Sequence, residues 1–95
     1  MMDNKIQQIE IKAAELFKEL GFEIVLINQE KIYKYKECYH RFSFVGSLGG
    51  FVIESAMNRD EAEKNIYEDS DIFPISDSEE LLNDIETILR KYYLI

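Results

Sequence analysis

The chain has 95 residues, a formal net charge of −8 and 46% hydrophobic residues. That length suits one globular domain with one core, and such a negative field repels phosphate backbones, which argues against general nucleic-acid binding. No apolar run approaches the ~20 residues needed to span a bilayer, and Met1 to Gln7 lacks the basic-then-apolar pattern of a signal peptide. The only cysteine, Cys38, excludes an intrachain disulfide and a Cys-rich zinc site, so a cytoplasmic protein is expected.

The first predicted element is a helix. Ile6, Ile9, Ala13, Leu16, Phe17 and Leu20 form one apolar stripe at the helical period. Asp3 or Asn4 is the expected cap, and Gly21 the expected stop, because glycine tolerates the left-handed conformation in which helices often end. Phe22-Glu23-Ile24-Val25-Leu26-Ile27 then reads as a strand buried on both faces or nearly so. Asn28 to Lys31 reads as a turn.

Ile32-Tyr33-Lys34-Tyr35-Lys36 alternates aromatic and basic residues, the pattern of a half-exposed strand. Its lysines suit a sheet edge, and Tyr33 and Tyr35 there are candidate anchors for a homo-oligomer. Interleaved aromatics and lysines also occur on single-strand nucleic-acid platforms, but two lysines are a weak attraction on so acidic a chain. Tyr39 to Val45 is a further strand, with His40, Phe42 and Phe44 on one face and Tyr39, Arg41, Ser43 and Val45 on the other. Gly46-Ser47-Leu48-Gly49-Gly50 is a turn, lacking the lysine and spacing of a phosphate-binding loop. Phe51 to Met57 is the last expected strand.

Asn58-Arg59-Asp60-Glu61 resembles a capping box opening a short helix, whose inward face is Ala62 and Ile66. Glu68-Asp69-Ser70-Asp71 is expected to break it, and Ile72-Phe73-Pro74-Ile75 to be extended. A final helix from Asp77 to Tyr92, capped by Ser76, Asp77 or Ser78, carries an apolar stripe from Leu81 or Leu82 to Tyr92. The expected fold is α+β, in the order α-β-β-β-β-α-α. It has a four-stranded antiparallel meander with helices packed mainly on one face.

Charge is segregated along this plan. Residues 1–30 carry net −3, residues 31–59 net +3 and residues 60–95 net −8. The acidic final third favours a basic protein partner. Cys38 and His40 share a strand face, so a thiol–imidazole pair is geometrically allowed, but no orienting group or catalytic motif accompanies them. The acidic run Glu68 to Asp71 offers oxygens to a hard cation, yet lacks the glycine and twelfth-position glutamate of a calcium loop. The sequence thus points to no catalytic residue, metal site or cofactor.

One resemblance adds to this reading. Ile53-Glu54-x-Ala56, Asn58-x-x-Glu61-Ala62, Tyr67-Glu68-Asp69-x-Asp71-x-Phe73-Pro74 and the closing Lys91-Tyr92-Tyr93 are together similar to small acidic immunity proteins of bacterial polymorphic toxin systems. The resemblance covers roughly the C-terminal half. It implies a cytoplasmic, non-enzymatic protein that binds and neutralises a cognate toxin domain. Many such domains are basic nucleases, and carboxylates can occupy sites that Arg and Lys built for phosphate. The expected binding surface is Glu68, Asp69 and Asp71, with Glu54 beside them and Phe73 or Tyr67 as apolar anchor.

Overall fold

A computed structural model describes residues 2–94. Helix α1 (Met2–Glu19) leads into strands β1 (Glu23–Ile27), β2 (Glu30–Tyr35), β3 (Cys38–Val45) and β4 (Gly50–Ala56). A short helix α2 (Arg59–Glu63) is followed by β5 (Glu68–Pro74) and helix α3 (Ser78–Ile88), whose end widens into a π turn over Leu89–Tyr93. The α+β class and antiparallel sheet are those read from the sequence. The sheet, however, has five strands in the order β1-β2-β3-β4-β5.

The fifth strand joins the acidic Glu68–Asp71 segment, expected to be a loop, to the Ile72–Pro74 stretch expected to be extended. Glu, Asp and Ser have weak β propensity, but β4 supplies a ladder for them, from Gly50 opposite Pro74 to Ser55 opposite Glu68. A register shift at Ile53/Glu54 accommodates one extra residue of β5. At Gly50 the two backbones touch: an added Cβ would collide with the Phe73 carbonyl and come within 2.8 Å of the Pro74 Cα. Charged residues and a terminal proline are tolerated here because β5 is an edge.

The same topology corrects the edge assignment of Tyr33 and Tyr35. Strand β2 lies between β1 and β3. A two-residue turn with Asn28 and Gln29 at φ 53° and 69° folds β1 back onto it. Strand β1 is therefore the edge, not a doubly buried strand, and leaves Ile24 and Leu26 exposed.

Ile9, Ala13 and Phe17 of α1 pack with Leu81, Ile85 and Leu89 against Tyr33, Phe42, Phe51, Ile53 and Phe73. Phe17 stacks on Tyr33 at 4.1 Å, and Phe42 on Phe51 at 4.9 Å. The opposite sheet face carries a smaller cluster of Ile27, Ile32, Tyr39 and Ala56, covered by Ala62 of α2. Ile66 lies past the end of α2 and is exposed instead of facing inward.

Several local signals operate as expected. Gly21 takes φ 98° and Phe22 donates back to the Phe17 carbonyl at 3.0 Å, closing α1. Asn58 Oδ1 accepts from the Glu61 amide at 2.9 Å, while Glu61 accepts from the Met57 amide at 3.2 Å. Asp77 caps α3. Helix α1 begins at Met2, so Asp3 and Asn4 lie inside its first turn instead of capping it.

Candidate functional site

The residues singled out in the sequence converge on β5 but divide between the two faces of the sheet. Asp69 stands opposite Glu54, on the α2 side. Glu68 stands opposite Ser55 and Asp71 opposite Ile53, on the side of α1 and α3. Alternation along the strands produces the division, and the bulge resets it between Asp69 and Asp71.

On the α2 side Arg41 organises the site. Its Nε and Nη2 donate to Glu54 Oε1 and Oε2 at 3.0 and 3.1 Å, a bidentate pair across β3 and β4. Its Nη1 donates to Asn65 Oδ1 at 2.7 Å and lies 3.6 Å from Glu30. The guanidinium sits 4.2 Å from the centre of the Tyr67 ring. The Glu54 hydrogen bond raises the Arg41 pKa further, and burial raises that of the Tyr67 phenol. Glu54 and Tyr67 thus serve an internal clamp that fixes the approach to β5, not a free binding surface. Sequence reading places Arg41 on this face but gives it no role. Its lone positive charge on the face it shares with Tyr39 and Ser43 is the available signal.

On the other side, Tyr93 Oη donates to Asp71 Oδ2 at 2.7 Å, tying the π turn to β5. The Tyr93 ring meets His40 edge-on at 5.0 Å, and His40 Nδ1 lies 2.8 Å from Ser55 Oγ. A groove of about 390 Å³ opens here, lined by Cys38, His40, Ser55, Asp71 and Tyr93 among others. Cys38 and His40 do share this face, yet the imidazole nitrogen is engaged by Ser55. Burial lowers the His40 pKa to about 4, so the ring is neutral near pH 7 and a weak base. Among the described residues, no group of three or more His, Cys, Asp and Glu side chains is arranged to hold a metal.

Among the described residues, the outer side of β5 has no neighbouring strand. Glu68 and Asp69 are exposed along it. Phe73 points into the core and is buried, so it cannot serve as the expected anchor. The exposed apolar residue is Ile72, at 52%. An inward Phe73 requires an outward Ile72 by simple alternation, which makes Ile72 recoverable from the sequence once residues 68–74 are read as a strand. A second groove, about 300 Å³, runs between β5 and α3. Asp71 and Asp84 provide its charge, with Ile72, Pro74 and Ile88 as apolar walls and no Lys or Arg in the lining. Asp84 carries no signal in the sequence that sets it apart from the other acids of α3.

No family model, curated protein or solved structure matches the chain. No helix among the described residues is long and apolar enough to cross a membrane.

Proposed function

We propose that this chain is a non-catalytic inhibitory binding protein of the toxin-neutralising immunity type, acting in the cytoplasm on a basic protein domain along the β5 edge. The observation that carries the reading is an open strand edge that presents Glu68 and Asp69, beside an acidic groove with Ile72 on its rim. Open backbone donors and acceptors can pair with an extended segment of a partner. The carboxylates attract Arg and Lys, speed encounter and reject acidic competitors. Clamping by Arg41 and Tyr93 keeps the edge in shape before binding, which lowers the ordering cost. The weak basicity of buried His40 favours binding over acid–base catalysis at this side of the sheet.

The test is calorimetric titration with the protein domain encoded beside this chain. The expected affinity is roughly nanomolar or tighter and falls with salt. Replacing Glu68 and Asp69 together by Lys weakens it by about 100-fold, roughly 2.7 kcal/mol. No heat at low or moderate salt, or no effect of the double reversal, overturns the reading.

A further inference from the structure

The opposite end of the sheet is built differently. Strand β1, Glu23-Ile24-Val25-Leu26-Ile27, has β2 on one side and, among the described residues, no strand on the other. Exposed edges are usually guarded by charge, proline or a bulge. Strand β1 carries one charged residue, at its first position, has no proline, and pairs with β2 without a register shift. Leu26 is 70% exposed and Ile24 38%. Both face the α1 side, as their register partners Lys31 and Tyr33 show, and exposed Ile11 of α1 lines a cleft with those two partners.

We infer that β1 is a self-association edge, pairing antiparallel with β1 of a second copy about a two-fold axis at Val25. Hydrogen-bond phase supports this register. The tight Asn28-Gln29 turn makes Ile27 and Glu30 a bonded pair, so Glu23, Val25 and Ile27 direct their amides to β2. Ile24 and Leu26 then direct theirs outward. A two-fold at Val25 sets Ile24 opposite Leu26 of the second copy and the reverse, joining outward-bonding residues to one another and apolar side chains to apolar side chains.

Charge selects a second copy here and forbids it at β5. In this register Glu23 faces Ile27 of the second copy. The two Glu23 residues stand four positions apart along the strand, about 13 Å, beyond the roughly 8 Å screening length at physiological salt. Self-pairing through β5 would instead crowd Glu68, Asp69 and Asp71 against their own copies. The acidic edge lies four strand spacings from β1, about 19 Å away, so it opposes β1 pairing only weakly. A five-residue strand buries less than the ~800 Å² per partner of a standard stable interface. The dimer is accordingly weak, with a dissociation constant of roughly 1–100 µM.

Equilibrium sedimentation of the full chain from about 1 µM to 500 µM tests the assignment. The apparent mass rises from 11.2 kDa toward twice that value. Leu26→Lys holds it at the monomer value over the same range while leaving the circular dichroism spectrum unchanged, because the side chain is exposed. Asp69→Lys leaves self-association intact. A Val25→Cys, Cys38→Ser variant forms an intermolecular disulfide on mild oxidation, since a non-bonded cross-strand pair brings its Cα atoms to about 4.5 Å, within the span of a disulfide. A wild-type chain that stays monomeric to 500 µM overturns the assignment and leaves the edge to another occupant. So does a dimer that survives Leu26→Lys.

Discussion

The two edges of one sheet have been given opposite surfaces. Strand β1 is apolar and nearly uncharged, with Leu26 in solvent; β5 is acidic and carries its main apolar residue inward as Phe73. They also differ in restraint. Strand β5 is flanked by the Arg41–Glu54–Tyr67 clamp and held from the other face by Tyr93 on Asp71, whereas Ile24 and Leu26 of β1 stand exposed. An open edge is a template for pairing, and side-chain charge governs what it can pair with. On the proposed reading the acidic edge disfavours its own copy and suits a basic partner, whereas the neutral edge carries no like charge set against itself.

Acid gives the largest expected test of this difference. Burial lowers the folded His40 pKa to about 4, while an unfolded histidine titrates near 6.5. Between those values the unfolded chain binds a proton that the folded chain does not, so stability is full above about pH 6.5 and falls as pH drops toward 4. The full loss is about 3 kcal/mol below that window. Urea unfolding of wild type and His40→Gln between pH 7 and 4 isolates it from the carboxylates. The wild type loses about 3 kcal/mol more than the variant, and parallel pH profiles would contradict the linkage. Because Tyr93 rests on His40 and bonds Asp71, amide exchange near pH 5 rises first in β5, which sharpens the contrast with β1.

How much of this is written in the sequence depends on whether an element is held by its own pattern or by its neighbours. The stripe from Ile9 to Phe17, the Gly21 stop and the Asn58 capping box are local, and each is legible. The division of β3 into Phe42 and Tyr39 faces also follows from alternation alone. Only the Ile72–Pro74 end of β5 is legible, because Glu68 to Asp71 reads as a loop until β4 lies beside it. The edge position of β1 is hidden for the converse reason. Ile24 and Leu26 read as interior, and only the strand order exposes them. The candidate site divides in the same way. Charge alone marks out Glu68 to Asp71, but Glu54 and Tyr67 emerge as partners of Arg41 only once β3, β4 and the approach to β5 are side by side.

The clamp supplies a second, smaller test. Arg41→Met keeps much of the apolar stem but leaves half-buried Glu54 without its bidentate partner, next to Asp69 in register. The expected cost is about 2 kcal/mol, most of it from the abandoned carboxylate. Adding Glu54→Gln to Arg41→Met recovers about half, measured by denaturant midpoint. If the two substitutions add independently, the clamp does not hold β5. Exchange rates in β1 are expected to stay unchanged in both variants.

The smallest expected effect discriminates best between the edges. Tyr93→Phe removes one hydroxyl and the 2.7 Å hydrogen bond to Asp71, while retaining the ring against His40. The expected loss of stability is about 1 kcal/mol, since a hydrogen bond to a charged acceptor exceeds the neutral average but Asp71 can recover water at the groove. A double-mutant cycle with Asp71→Asn returns a coupling of about 1 kcal/mol. Association is the informative readout. Partner affinity at β5 falls further than stability accounts for, because the strand is no longer ordered before binding, while self-association through β1 is unmoved. If the same variant shifts both equilibria equally, the sheet transmits between its ends and the two edges are one device. If it shifts only the β5 equilibrium, restraint and charge act on each edge separately, and each can be altered without disturbing the other.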